Sequence, residues 1–145
     1  SMAMMCHMLE HFSYADGLQL LRDLRRTMKP DGVVRIIVPN AAALIAGYQG
    51  YELLPEKPIL DIAEYDEINN GCAENSTDAA KLWEMLSEGH SAFYDAETLG
   101  AVLQSAGFVP ELKSFRQSIS KQMLVETLDI LPCHSLFMDA VPALN

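Results

Sequence analysis

A single α/β domain is the fold this sequence predicts, and three observations carry that reading. A capped amphipathic helix leads, across a Pro-Asp-Gly turn, into the almost wholly apolar and β-branched run "VVRIIV". A second capped helix ends at Gly107 and is followed by another strand-like stretch. The chain has 145 residues, enough for one hydrophobic core and too few for two.

From the N-terminus, "MAMMCHM" over 2–8 reads as a strand ending near His7 or Met8, because the elements after it require one. Ser13 and Asp16 form an S-x-x-D capping box with Ser13 as N-cap. Leu18, Leu21, Leu24 and Met28, with Leu20, then recur at helical spacing, while Arg22, Asp23, Arg25 and Arg26 take the opposite face. Lys29 complements the dipole at the helix C-terminus. Pro30, Asp31 and Gly32 supply fixed φ, a side-chain acceptor and free φ for a turn. The run over 33–38, closed by Pro39-Asn40, suits a strand covered on both faces, as in a parallel sheet. Helix, turn and buried strand form the second half of a β-α-β unit, which is why a strand is expected before them.

Residues 41–90 are less regular and are expected to form a helical lid insertion. "AAALIAGY" reads as a short helix and "ILDIAEYDEINN" as a weaker one. "STDAAKLWEMLSEG" is a helix capped near Ser76 or Thr77, with Leu82, Met85 and Leu86 inward and Gly89 as its stop. Asp95 is the N-cap of a further helix carrying Leu99, Val102, Leu103 and Ala106 on one face, with Gly107 at C′. A strand is expected from Phe108 to about Arg116. The helix-prone "SKQMLVETL" and a last strand, "HSLFMDAV" over 134–141, complete the chain.

The net charge of −10 argues against nucleic acid or an anionic membrane as a partner. No apolar run reaches the roughly 20 residues of a membrane helix, and the start of the chain lacks the basic lead of a signal peptide. Cys6, Cys72 and Cys133 are far apart and without C-x-x-C spacing, the pattern of reduced thiols in a cytoplasmic protein. Cys133-His134 is not a nucleophile and base, because neighbours on a strand point to opposite faces.

"HMLEH", residues 7–11, has the H-x-x-E-H spacing of inverted zinc peptidases. A zinc hydrolase would need residues 5–12 to be helical, which would bring His7 and His11 to one face with Glu10 as general base. It would also need a third ligand downstream, with Glu74, Glu84 or His90 as the nominees. The strand expected over 2–8 opposes that reading, and no metal ligand is assigned.

Four stretches resemble the class I S-adenosylmethionine-dependent methyltransferases, closest to the small type-11-like bacterial group. "HMLEHF" is similar to the family's "hvLEHf", where the fourth strand runs into its loop. "LLRDLRRTMKPDGVVRIIVPN" resembles the next helix, turn and fifth strand. "HSAFYDAETLGAVLQSAGF" resembles the helix ending in "aGF" before the sixth strand, and "SLFMDA" the terminal strand. Together they run in the family's order over 5–140.

The resemblance implies a partial Rossmann-like methyltransferase fold, strands four to seven of a sheet ordered 3-2-1-4-5-7-6. It implies S-adenosyl-L-methionine as cofactor and a small-molecule methyl acceptor. It also implies that His7, Glu10 and His11 are cofactor-binding candidates at the C-terminal edge of the sheet, where open α/β folds hold ligands. There Glu10 orients backbone amides or lines the substrate pocket, and His11 meets ligand or caps the next helix; the alternative is that both are helix-entry residues with no ligand. Asn40, after the fifth strand, is a substrate-binding candidate or a turn cap. His90 and Ser91 lie at the substrate entrance or in a solvated loop. No residue is singled out as catalytic.

The family's glycine-rich cofactor loop has no counterpart here: the sequence contains no G-x-G-x-G. The chain is therefore expected to correspond to the C-terminal half of a methyltransferase domain, with its first strand at an open edge. Such an edge invites pairing, so a homodimer joined through that strand is expected. The alternative function is a non-catalytic remnant or self-associating interaction module.

Overall fold

The computed structural model describes residues 1–49, 86, 87, 89–123, 125, 129 and 135–144. The expected β-α-β unit is present. Strand β1 (Met2–Cys6) and strand β2 (Val33–Pro39) pair in parallel, from Met2 opposite Val33 to Cys6 opposite Ile37. Helix α1 (Tyr14–Thr27) lies between them. Ser13 caps it as expected, its Oγ accepting from Asp16 N at 3.2 Å. At the other end Gly32 N donates to Lys29 O at 2.9 Å, closing the turn into β2. β1 stops at Cys6, short of the expected 2–8. His7 takes a positive φ of 46°, which turns the chain off the sheet although its N–H still donates to Ile37 O at 2.9 Å.

The short helix after β2 forms as α2 (Ala41–Tyr48). Of the elements expected over 59–89, Leu86 and Ser87 are helical and Gly89 has a φ of 75°, but Leu86 is exposed and not inward as its spacing suggests; the remainder lies outside the described residues. Helix α3 (Ala96–Ser105) begins as expected at Asp95, which accepts from Thr98 N at 2.7 Å. It ends with Gly107 at a φ of 88°, a left-handed conformation that glycine adopts without penalty. The tight exit leads into β3 (Phe108–Lys113). The last strand, β4 (Ser135–Pro142), matches the expected segment to within a residue at each end.

The sheet order is β1-β2-β4-β3, with β4 antiparallel to both of its neighbours. β2 is buried on both faces, and its alternating side chains meet two different layers. Val34, Ile36 and Val38 join Leu136, Met138 and Ala140 of β4 under the helices, against Leu21 of α1 and Leu99 and Leu103 of α3. Leu18, Leu20, Leu24 and Met28 pack on the margin of this core, so the apolar stripe of α1 faces inward as its spacing demands. Val33 faces the other way, packing on Met123 and Val125.

That second layer is held by an ion network that the apolar run conceals. Arg35 is wholly buried and opposite Asp139 on β4. Its Nε and Nη2 donate to the two oxygens of Asp129 at 2.7 and 2.6 Å, and Nη1 donates to Asp139 at 2.7 Å. Nη1 and Nη2 also donate to the carbonyls of Gln117 and Ser114 at 2.8 and 3.3 Å. The carboxylates in turn accept from Arg116 N at 2.6 Å and from Ile119 N at 2.7 Å. This network explains why β3 ends at Lys113 and not near Arg116. The carbonyls after it turn to Arg35, and Arg116 itself has a φ of 56°.

Arg25 on α1 ties the fold together elsewhere, donating to Gly107 O at 3.0 Å and to Ala143 O at 2.8 Å. No helix among the described residues is long and apolar enough to cross a membrane.

Candidate functional site

Where β1 and β2 end, the chain forms a ledge from three short pieces. The first is His7 with the 3-10 turn Leu9–His11. The second is Asn40, which bridges in parallel to Tyr94 while Ala41 N donates to Tyr94 O at 2.9 Å. The third is the stretch 90–94, whose Ser91 N and Ala92 N both donate to Glu10 O, at 2.7 and 3.1 Å. A loop far along the chain is thereby fastened to the turn after β1.

Local sequence explains the turn. Leu9 is fully buried and anchors it in the main core. Helix α1 can sit close because Gly17 has no side chain: a Cβ there would lie 3.3 Å from Leu9 Cδ1 and 3.4 Å from the Tyr94 hydroxyl. The three residues of the turn are too few to carry the HMLEH segment as one helical face. His7 lies before the turn, and its Nε2 is 2.9 Å from Ser135 Oγ on β4. The helical pairing of His7 with His11 that a zinc peptidase needs is therefore not formed, and Glu74 and Glu84 lie outside the described residues.

A different grouping forms in its place. Glu10, His11 and His90 each offer one metal-ligating atom, and these atoms lie within 4.8 Å of one another. The His11 and His90 rings are 4.8 Å apart between centroids. Glu10 is only 1% exposed, and neither carboxylate oxygen has a hydrogen-bond partner among the described residues. Among the described residues the basic group within ion-pair distance is His7 Nδ1, 3.5 Å from Oε1. A buried carboxylate left so is costly, because water has been removed and no hydrogen bond from the described residues replaces it.

The structure thus brings His7, Glu10, His11, His90 and Ser91 into one neighbourhood. Asn40 reaches the same edge through the Tyr94 bridge, but its side chain accepts from Ala43 N at 3.3 Å, the capping role. Ser91 contributes its backbone N–H to Glu10.

Two residues of this edge are not singled out by the sequence. Tyr94 is 1% exposed with an unpartnered hydroxyl among the described residues. Burial, then Tyr14 and Glu10, push its phenol up to about 12. An aromatic residue immediately before the Asp95 cap was its only sequence signal. Ser135 had none, because sheet pairing alone brings it to His7. Cys6 is also nearby, and burial first, then Glu10 and Asp129, push its thiol up. It is therefore not an activated thiolate.

Residues 1–112 match a family model described as "Methyltransferase domain". No curated protein matches the chain.

Proposed function

The chain belongs to the methyltransferase-domain family, and from that premise we propose that it serves S-adenosylmethionine-dependent methyl transfer to a small molecule. The family match carries the reading, and two features of the fold support it. The order β1-β2-β4-β3, with β4 antiparallel, is compatible with strands four, five, seven and six of the family's sheet. The C-terminal edge of β1 and β2, where open α/β sheets bind ligands, holds two buried polar groups without partners among the described residues, the Glu10 carboxylate and the Tyr94 hydroxyl. Unspent polar groups at a sheet edge fit a polar ligand such as this cofactor.

His7 and the turn carrying Glu10 and His11 would border the cofactor, and Asn40, His90 and Ser91 the methyl acceptor. When bound, the cofactor supplies a methyl group already activated on a sulfonium. What remains for the protein is alignment and exclusion of water. The ledge is suited to that task because both of its loops are fixed: the 90–94 stretch by Glu10 O, and the turn by buried Leu9.

Calorimetric titration with S-adenosylhomocysteine tests the reading. Saturable binding, weakened at least tenfold in Glu10→Ala, is expected; no saturable binding at millimolar ligand would overturn it for this chain. That outcome would favour the second reading, a self-associating module, which one observation supports. β1 is an edge strand of the described sheet, and Met2 on it is half exposed. Two copies pairing through β1 across a two-fold axis would cover the β1 edge of each. A monodisperse monomer at micromolar concentration in sedimentation would refute this pairing.

A further inference from the structure

We propose that Glu10, His11 and His90 form a binding site for a divalent transition-metal ion. Two imidazoles and a carboxylate are the donor set of a borderline cation such as zinc, cobalt or nickel, and a poor one for magnesium or calcium, which prefer all-oxygen shells. Three protein ligands leave at least one coordination position for water or for an oxygen of a small molecule.

The spacing is that of a site needing small closure. Ligands at zinc distances of about 2.0–2.2 Å stand roughly 3.4 Å apart around a tetrahedral ion. The three donor atoms here lie within 4.8 Å of one another. Up to about 1.4 Å must be closed, and the exposed His11 side chain, at the end of a short turn, is free to rotate toward the other two. The hydrogen bonds from Ser91 and Ala92 to Glu10 O hold the backbone beside His90 against the turn, so the ligands are already drawn together.

An independent observation points to a cation. Glu10 is buried without a hydrogen bond to either oxygen among the described residues. Hydrogen-bonding neighbours do not account for this carboxylate; a metal ion on its oxygen would. His7 completes the arrangement as a positioning residue. Its ring lies between Ser135 Oγ, 2.9 Å from Nε2, and Glu10 Oε1, 3.5 Å from Nδ1, and the tautomer with N–H at Nδ1 presents a donor toward that carboxylate. A ligating carboxylate is commonly oriented by such an outer partner.

Metal-free protein titrated with zinc chloride and with cobalt chloride in a non-chelating buffer tests the site. One equivalent of each is expected to bind, with visible ligand-field absorption from cobalt and a rise in Tm from zinc. His11→Ala and His90→Ala should each weaken zinc at least tenfold, and the double variant should remove the cobalt spectrum. Both residues have side chains at or near the surface, so these variants are expected to fold, which circular dichroism checks. Glu10→Gln should also lose metal, while removal of its buried charge leaves the metal-free protein at least as stable as the parent. His7→Ala should weaken zinc about tenfold without abolishing the cobalt spectrum. Absence of stoichiometric binding would overturn the site, as would binding that survives His11→Ala/His90→Ala. Tight magnesium binding with none for zinc would overturn the assignment of metal class. Neither titration involves S-adenosylhomocysteine, so failure of the metal site and failure of the methyltransferase reading are separately observed.

Discussion

Replacing Arg35 by methionine tests what holds the second layer of the fold. All five guanidinium N–H groups have acceptors: two oxygens of Asp129, one of Asp139, and the carbonyls of Ser114 and Gln117. Arg35, Asp129 and Asp139 have no side-chain exposure. Methionine fills much of the same volume but leaves two buried carboxylates facing each other without a cation. Breaking a buried pair by removing one partner costs about 3–5 kcal/mol. The two carbonyls are part-buried and regain water, so they add little. An unfolding entropy of about 0.3 kcal/mol/K is expected for 145 residues. The loss then corresponds to a Tm about 10–16 °C lower. Urea denaturation followed by far-UV circular dichroism, with m-values compared, reads the change directly. Arg35→Lys should fall between the two, since one ammonium keeps the charge but cannot grip Asp129 with two parallel bonds. Arg35→Met within about 1 kcal/mol of the parent would refute the reasoning, because surface ion pairs are worth no more than that. Removing both aspartates as well is not expected to restore stability. They also accept from Arg116 N and Ile119 N, which would be left without partners.

Two further expectations concern groups that titrate near the candidate site. The hydrogen bond from Thr98 N holds the Asp95 carboxyl below its ordinary value of 3.8. A depressed carboxyl contributes stability above its unfolded pKa, and that contribution fades as pH falls through the folded value. Asp95→Ala should therefore cost about 1 kcal/mol at pH 7 and progressively less below pH 4 in parallel denaturation curves. A constant difference across that range would show that the cap does not act through its charge. The Tyr94 phenol, raised to about 12 from an ordinary 10 by burial, Tyr14 and Glu10, gives the opposite sign. Stability is unaffected by it below pH 10 and declines between there and 12, as the unfolded chain ionises first. Absorbance titration at alkaline pH should show one late phenol step that disappears in Tyr94→Phe. Its persistence in that variant would assign the step to another tyrosine.

The elements legible in the sequence are those whose cause is local. Ser13, Asp95 and Gly107 mark helix ends because each acts within one turn of chain. The apolar stripes of α1 and α3 were readable for the same reason. Arg35 was hidden in plain sight within an apolar run, since its partners Asp129 and Asp139 stand 94 and 104 residues away. The strands β1 and β3 end at Cys6 and Lys113, earlier than the sequence pattern suggests. Each strand is ended by a non-glycine residue at positive φ, His7 or close behind it Arg116, and neither residue type announces that conformation. The candidate site was legible as a place: His7, Glu10, His11, His90 and Ser91 do meet at one sheet edge. Its internal pairing was not. Spacing in HMLEH suggested His7 with His11, whereas the turn after β1 gives His11 to His90 and sheet pairing gives His7 to Ser135.

The position of β4 carries a consequence for how the protein acquires its shape. It is the last of the described strands in sequence, yet it lies between β2 and β3 and pairs with both. In the described sheet, β3 has no partner until Ser135–Pro142 arrives. A chain emerging from the ribosome can close the parallel pair of β1 and β2 early. It must then keep a slot open beside β2 and leave β3 unsatisfied through the remainder of synthesis. Closure waits on contacts distant in sequence, the slow kind, and the unpaired flanks of that slot are where premature association would begin.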